Sequence, residues 1–331
     1  PPSFRSTPIV CVTLSLGRAN NSVTQTPDHT DGRPVACSAM TGEQFDGVNS
    51  MVASLQRVAM RRPGALLTAD HDRWHYTKPL DAARLAEQYA AFADAVAASG
   101  AEIVWLPDHD DDLADSVFTY DPSFVVPGGA VVLRPGKDLR VAEAELHRDF
   151  YDEQGIPVLG SIDAPGTVEG GDMFWLDGTT LAVGRTFRTN QAGIDQLVEI
   201  LRPHGVAVEV YDLPYHLGPE ACLHLMSVVS PLDHDLALVH LPMLPAALHD
   251  RMLELGYTLL AAPPDEFEAS LGLNLNVLAT GPRRVIAVDG FPGTVALMRE
   301  ADCDVTLFDG DELCLPCEGG PTCLTRPLLR R

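Results

Sequence analysis

The sequence predicts one closed α/β domain in which five similar units surround a common axis. From residue 57 onward the same order recurs five times: two short β-rich runs separated by a turn, then an amphipathic helical pattern, then a final β-rich run. Units spaced about 50 residues apart are too small to hold a core alone, so they should pack around an axis. The composition agrees, since 46% of the 331 residues are hydrophobic, which suffices for a sizeable core.

The second unit has the clearest pattern. Its first two β-rich runs, 124–126 and 130–133, flank a Pro-Gly-Gly turn, and a helical pattern over 141–154 precedes the run 156–159. The next three units repeat this order of two β-rich runs, a helical pattern and a last β-rich run. In the third unit they lie at 173–176, 181–183, 191–202 and 206–211, and in the fourth at 223–229, 235–240, 246–255 and 257–261. In the fifth they lie at 275–279, 284–288, 295–299 and 305–308.

The first unit is incomplete. It has a β-rich run at 57–60, a helical pattern at 82–98 and a second run at 103–106, but it lacks one strand. The run 323–329 could supply that strand and so close the ring. A generic mixed α/β sheet with an accidental rhythm is the alternative.

Residues 1–50 differ in composition from the rest of the chain. They are rich in Ser, Thr, Asn, Gly and Pro, and apart from 8–16 they show no apolar periodicity. We therefore expect a poorly ordered or loosely attached extension over 1–50 and a single catalytic domain over 51–331. The apolar stretch 9–14 could be the core of a secretory signal, but a packed strand or an unstructured leader fits its Thr and Ser content better.

The charge balance narrows the choice of partners. There are 46 acidic and 23 basic residues, a formal net charge of -23. Such a surface repels phosphate backbones and anionic lipids, so we expect neither nucleic-acid binding nor membrane attachment, whereas a small cation is a favourable ligand. The seven cysteines, an odd number without the paired spacing of small secreted domains, favour a reducing, cytoplasmic location.

Polar motifs recur at the same position in successive units, at the start of each unit. They lie at 115–121, 169–172, 222–224, Asn274 with Asn276, and 317–323. Equivalent positions of a pseudosymmetric ring converge near its axis, so we expect these distant groups to share one cavity.

Cys323 is the candidate nucleophile of this set. The glycines and proline at 319–321 predict a tight turn that exposes its thiol, and His224 is the best partner to supply and accept protons. The alternatives are that Cys323 is a small buried hydrophobic residue and that 169–172 is a turn with two solvated acids.

The remaining cysteines and histidines do not predict a metal site. Cys314 and Cys317 have C-x-x-C spacing, but neither a second pair nor a nearby histidine completes a four-ligand site. The histidine-containing segments 71–75 and 108–112 are polar and turn-like, which favours solvated loops.

Five of the motifs, in this order, resemble those of the guanidino-modifying enzymes. They are Asp115-Ser-Val-Phe-Thr-Tyr-Asp121, Glu169-Gly-Gly-Asp172, Val183-Gly-Arg-Thr-Phe-Arg-Thr-Asn190, Cys222-Leu-His224 and Gly319-Gly-Pro-Thr-Cys323. From about residue 57 to its last residue, the chain looks like a dimethylarginine dimethylaminohydrolase of the amidinotransferase, or pentein, superfamily. The resemblance implies a five-bladed αβ propeller of pseudosymmetric ββαβ units.

The resemblance also implies a hydrolase of C–N bonds in linear amidines. Cys323 would attack the guanidinium carbon of methylated arginine to form a covalent thiouronium adduct. His224 would protonate the departing amine and then activate water, releasing citrulline, and Glu169 would orient His224. No metal or organic cofactor is required.

The same resemblance implies a substrate-binding set. Asp121 would accept hydrogen bonds from the guanidinium, Arg140 and Arg188 would grip the α-carboxylate, and Asp115 would line the substrate end. Three further residues of the motifs complete the expected set: Tyr120, Met226 and Asp172. The expected partner is a small cationic arginine derivative, and a homodimer is compatible with the sequence.

Two positions depart from the family pattern. Tyr120 stands where dimethylargininases usually have Glu, and Met226 stands where arginine deiminases and amidinotransferases have Asp. An apolar Met226 favours a substituted guanidine, whereas the cysteine loop 319–327 resembles that of deiminases. Arginine deiminase or another guanidine hydrolase is therefore the alternative within the superfamily. A non-catalytic binder of cationic amino acids is the alternative from another class.

Overall fold

The computed structural model describes residues 45–109, 112–219 and 222–331, and the strands of these residues form five three-stranded sheets. The strands are β1 (Leu55–Met60), β2 (Glu102–Trp105), β3 (Ser123–Val126), β4 (Gly129–Val132), β5 (Val158–Ser161), β6 (Met173–Trp175), β7 (Thr180–Arg185), β8 (Ala207–Asp212), β9 (Val229–Asp233), β10 (Leu236–Val239), β11 (Thr258–Ala261), β12 (Leu278–Gly281), β13 (Arg284–Val288), β14 (Asp304–Phe308) and β15 (Arg326–Arg330). The α-helices are α1 (His71–Trp74), α2 (Ala82–Ala98), α3 (Glu143–Glu153), α4 (Gln191–Leu201), α5 (Ala246–Glu254), α6 (Pro264–Ser270) and α7 (Pro292–Glu300).

All five sheets share one topology. In the second unit the central strand β4 pairs antiparallel with β3 and parallel with β5, and α3 makes the crossover between the parallel strands. The other sheets repeat this order around the central strands β1, β7, β10 and β13. The predicted architecture of five ββαβ units is confirmed.

The first unit takes its missing strand from the far end of the sequence, as predicted. β1 pairs antiparallel with β15, with Val58 opposite Pro327, and it pairs parallel with β2. Cys323 lies three residues before β15. Closure of the ring therefore carries the candidate nucleophile to the first unit.

Two outer strands begin later than the sequence predicts. β9 and β12 start only after 3-10 turns at Leu225–Ser227 and Leu273–Leu275. Leu225 and Leu275 are fully buried in the core, so their hydrophobicity reflects packing within a turn and not a strand. These turns lie beside the polar residues that the sequence analysis singled out at the entrances of the units.

The crossover helices bury one face each. In α4, Ile194, Leu197 and Leu201 are buried at the spacing of an amphipathic helix, and the Asn190 side chain caps the helix by accepting a hydrogen bond from Gly193 N at 2.8 Å. No helix among the described residues is both long enough and apolar enough to cross a membrane.

Most of the predicted extension over 1–50, including the apolar stretch 9–14, lies outside the described residues. Within 45–50, Val48 belongs to a core cluster and Phe45 packs against it. The boundary at residue 50 stays a prediction.

Candidate active site

A cavity of about 550 Å³ collects polar side chains from loops of successive units. Its volume falls in the range of small-molecule sites. The predicted site residues that line it are Cys323, His224, Glu169, Asp121, Asp115, Arg140 and Arg188. The ring thus brings together groups that are far apart in the sequence.

A buried histidine and carboxylate form the centre of the cavity wall. His224 Nε2 lies 2.6 Å from Glu169 Oε2, and both side chains are buried. The other oxygen of Glu169 accepts hydrogen bonds from Gly136 N at 2.8 Å and Lys137 N at 3.3 Å, and Arg188 Nη1 lies 3.4 Å from it. Glu169 is therefore held in place by the backbone, and it leaves Nδ1 of His224 as the nitrogen that can exchange protons.

The glycines of the 169–172 motif allow this close packing. A Cβ atom on Gly171 would lie 2.4 Å from His224 Nδ1, and one on Gly170 would lie 2.0 Å from the carbonyl oxygen of Tyr120. Both distances are far below contact distance. The motif is thus a turn on which the histidine ring rests, and Glu169 is not a solvated acid.

The surroundings of Glu169 and His224 favour the ionised form of the pair. Burial opposes the charge on Glu169, but the hydrogen bond and charge of His224, with the charge of Arg188, outweigh it and lower the pKa of the carboxyl. Burial likewise opposes the charge on His224, but Cys222 and the Asp121 carboxylate outweigh it and raise the pKa of the imidazole well above its ordinary value. The direction of this shift favours the imidazolium, which is the form that a general acid needs.

Asp121 lies beside this pair. Its Oδ1 accepts a hydrogen bond from Gly171 N at 2.8 Å and its Oδ2 from Arg140 Nη1 at 2.6 Å. Ligand atoms of Asp121, Glu169 and His224 all lie within 4.8 Å of one another, close enough to hold a metal ion. The donors from Gly171 and Arg140 hold Asp121 in place without one.

Arg140 is held by protein oxygens on several sides. Besides Asp121, it donates to both carboxylate oxygens of Glu143 at 2.9–3.1 Å and to the carbonyl oxygens of Asp115 and Phe118. Its position fixes Asp121. The expected grip of Arg140 on a substrate carboxylate stays a prediction, as does that of Arg188.

The far end of the cavity contains a lysine that the sequence analysis did not identify. Lys137 Nζ donates to Asp115 Oδ2 at 2.6 Å and to the carbonyl oxygen of Trp74 at 2.9 Å, and Tyr76 OH donates to Asp115 Oδ1 at 2.7 Å. Trp74 and Tyr76 are buried and line the cavity. The interpretation of 71–75 as a solvated loop is only partly right: Asp72, Arg73 and His75 are exposed, but the segment contains the short helix α1 and its Trp74 is buried. The two aromatic residues in and next to the segment were the available signal.

The thiol of Cys323 is half-buried and lies close to two polar side chains. Burial and the nearby Asp121 carboxylate raise its pKa to about 11, while the Gly320 backbone, the Asn276 amide and His224 act in the opposite direction. Asn276 Nδ2 lies 3.0 Å from Cys323 Sγ. The sequence analysis placed Asn276 in a polar cluster but not in the site.

Tyr120 and Met226 line a separate, smaller cavity of about 30 Å³ that borders His224 and Cys323. The ring of Tyr120 is buried, with the Arg326 guanidinium carbon 3.8 Å from its centroid. This cavity has room for one or two small groups next to Cys323 and His224.

Asp172 requires a correction. It is fully buried; its Oδ1 accepts a hydrogen bond from Leu225 N at 2.9 Å and its Oδ2 from Thr186 Oγ1 at 2.7 Å. Burial raises the pKa of its carboxyl to about 6. Asp172 therefore anchors the turn that carries His224, and the expectation of a substrate contact is wrong because both oxygens are turned into the protein.

The cavity combines a cysteine thiol, a histidine and carboxylate pair and a second carboxylate, and it lies within five ββαβ units. This combination defines the class of guanidino-modifying enzymes with the pentein fold. The family model named arginine deiminase matches residues 108–262. The chain belongs to the dimethylarginine dimethylaminohydrolase-like enzymes of this superfamily.

Individual relatives agree with this assignment. The N(G),N(G)-dimethylarginine dimethylaminohydrolase of Pseudomonas aeruginosa is 32% identical over 180 residues, which cover 54% of this chain and 67% of the relative. The enzyme of the same name from Streptomyces coelicolor is 29% identical over 271 residues, covering 82% and 96%.

Solved structures show the same fold. A mutant of the Pseudomonas aeruginosa enzyme complexed with citrulline has a TM-score of 0.67 at 25% identity and covers 82% of this chain and 99% of its own. An amidinotransferase of saxitoxin biosynthesis from Microseira wollei has a TM-score of 0.73 at 17% identity, covering 86% and 97%, and supports the fold alone. The predicted five-bladed αβ propeller is thereby confirmed.

Proposed function

We propose that this protein hydrolyses asymmetric dimethylarginine to citrulline and dimethylamine through a covalent adduct on Cys323. The observation that carries the proposal is the convergence of Cys323, the ionised His224 and Glu169 pair and Asp121 at one cavity. The names of the two relatives above, and the citrulline bound in one solved structure, support the same reaction.

Substrate binding activates the thiol in this proposal. The guanidinium is a planar cation with N–H groups in its plane, which suit the carboxylate of Asp121. Burial and Asp121 together hold the pKa of Cys323 at about 11, so the free thiol is mostly protonated at neutral pH. A cation placed between Asp121 and the sulfur offsets both effects, so the thiol gives its proton to solvent and the thiolate forms when substrate is present.

The first chemical step forms the carbon–sulfur bond. The thiolate attacks the guanidinium carbon, and the imidazolium of His224 donates a proton to the dimethylamine nitrogen as the C–N bond breaks. In the second step neutral His224 takes a proton from water and the hydroxide adds to the thiouronium carbon. The C–S bond then breaks to release the thiolate and O-protonated citrulline, which gives its extra proton to solvent. Glu169 keeps the ring oriented in both steps.

The small cavity supports a methylated substrate. Met226 and the ring of Tyr120 make part of its wall apolar beside Cys323 and His224, where the substituents of the guanidinium would lie, while Ser227 and Ser230 are among its polar lining residues. Methyl groups gain by contact with such walls, whereas an unsubstituted NH₂ group would lose hydrogen bonds to water there. This favours dimethylarginine over arginine.

Basic side chains at the large cavity suit the rest of an amino acid. Arg188 and Arg140 would bind the α-carboxylate, with Lys137 nearby, and Asp115 would line the substrate end.

We place the enzyme in the cytoplasm, because cysteines of the described chain, Cys323 among them, are free thiols. A homodimer stays a prediction.

The experiment is to supply asymmetric dimethylarginine and arginine separately at neutral pH and to measure citrulline, with Cys323→Ser as the control. We expect citrulline from dimethylarginine at the higher kcat/KM and none from the variant. A higher kcat/KM for arginine would assign the protein to the deiminases. Stabilisation by these ligands without any citrulline would show a binder and refute the proposal.

A further inference from the structure

We infer that Asn276 is a catalytic residue whose side-chain amide donates a hydrogen bond to the sulfur of Cys323 and stabilises it as a thiolate. The contact is direct, since Nδ2 of Asn276 lies 3.0 Å from Sγ. The inference rests on the proposed function for its catalytic meaning, but the contact with the thiol can be tested without substrate.

The orientation of the amide follows from its second hydrogen bond. Thr322 N lies 3.0 Å from Oδ1 of Asn276. A backbone N–H can only donate, so the oxygen of the amide must face Thr322 and the nitrogen must face the sulfur. Asn276 therefore presents a donor, and not an acceptor, to the nucleophile.

The surrounding backbone holds this donor rigidly. Asn276 ends the 3-10 turn Leu273–Leu275, and the hydroxyl of Thr322 donates to the carbonyl oxygen of Val277 at 2.9 Å. A Cβ atom on Gly320 would lie 2.6 Å from Cγ of Asn276, so the cysteine loop runs directly against the amide. These contacts fix the two segments to each other and keep Nδ2 of Asn276 next to Sγ of Cys323.

The nucleophile needs such a donor because its surroundings oppose the thiolate. The side chain of Cys323 is held near the carboxylate of Asp121, and burial removes solvating water. A neutral amide stabilises negative sulfur without adding a positive charge that would repel the guanidinium. The same donor stabilises the sulfur again when the C–S bond breaks in the second step.

Two substitutions separate the hydrogen bond that Asn276 donates to Cys323 from the hydrogen bond that it accepts from Thr322 N. Asn276→Asp keeps an oxygen for Thr322 N and replaces the donor, whereas Asn276→Leu removes both groups without adding charge. The rate of carboxamidomethylation of Cys323 by iodoacetamide, followed by peptide mass spectrometry across pH, reports the thiolate fraction in the absence of substrate. Asn49→Asp, at an exposed site, controls for the added charge.

We expect both Asn276 variants to raise the apparent pKa of Cys323 by about one unit or more, with the larger shift for Asp. The kcat/KM for dimethylarginine at neutral pH should fall about tenfold or more, and Asn49→Asp should match the parent. Thermal unfolding of each variant checks the fold.

Unchanged titration of Cys323 in both folded variants would overturn the inference, and so would loss of the fold in both, since Asn276 would then be structural. If the parent forms no citrulline while the titration shifts as expected, the proposed function fails but the contact with the thiol stands. The two failures are thus distinguishable.

Discussion

Replacing Glu169 by glutamine keeps the size of this side chain and removes the negative charge next to His224. The backbone donors Gly136 N and Lys137 N face one oxygen of Glu169, so they will hold the amide oxygen of the glutamine. The amide nitrogen must then face His224 Nε2, which lies 2.6 Å from the other oxygen. A donor at that position requires Nε2 to be an acceptor and therefore disfavours the imidazolium.

The size of the change in stability follows from the lost charge, and its pH range follows from the shifted pKa values of His224 and Glu169. Loss of an opposite charge in contact should lower the pKa of His224 by about 1–3 units, and each unit corresponds to about 1.4 kcal/mol. The raised pKa of His224 stabilises the fold fully below its ordinary value of 6.5, and that contribution is lost as pH rises through the folded pKa. The lowered pKa of Glu169 stabilises the fold above 4.5, and that contribution is lost as pH falls.

The free energy of unfolding of Glu169→Gln should therefore drop by about 1.4–4 kcal/mol near pH 5.5, with a smaller loss at high pH. Urea unfolding of parent and variant at pH 5.5 and pH 9.5 measures this difference. The kcat for dimethylarginine should fall about 10²–10⁴-fold, because the general acid is lost. A free energy of unfolding equal to that of the parent at pH 5.5, or a kcat within about threefold of the parent, would contradict the ionised pair.

Three further substitutions test the site. Met226→Asp should move the ratio of kcat/KM values toward arginine by about tenfold or more, because a carboxylate pairs with unsubstituted N–H groups and not with methyl groups; an unchanged ratio would separate Met226 from specificity. Gly171→Ala should abolish turnover while circular dichroism stays like that of the parent, since its Cβ would lie 2.4 Å from His224 Nδ1. Asp172→Asn should lower the free energy of unfolding by about 1–3 kcal/mol at neutral pH and leave KM close to that of the parent, because the side chain anchors Leu225 and not the substrate. A large rise in KM alone would restore Asp172 to the binding set.

Most of the fold could be predicted because each unit carries its own local signals. The helix over 82–98 was predicted with the bounds that α2 has, because its apolar residues follow one face. In the structure Asp81 caps its first turn. β9 and β12 were placed too early because buried leucines in 3-10 turns look like strand residues in a sequence pattern. A hydrophobic residue in the sequence indicates burial, but only the backbone conformation shows whether that residue lies in a turn or in a strand.

The candidate site was harder to predict, because a motif locates a residue without telling which way its side chain points. Asp121 and Asp172 are both aspartates in polar motifs, yet one lines the cavity and the other is fully buried. The difference arises from Leu225 N and Thr186, which belong to other segments of the chain. Lys137 was missed for a similar reason, since its contact with Asp115 joins two loops that are adjacent only in the folded ring.

The pairing of β15 with β1 also governs when the site can exist. Every other sheet pairs strands that are neighbours in the sequence, whereas this sheet joins strands from opposite ends of the described chain. Such a distant pairing is a slow contact to form, and Cys323 reaches the cavity only when it forms. During synthesis, His224, Glu169 and Asp121 are therefore made before Cys323, and the complete cavity exists only once the ring has closed.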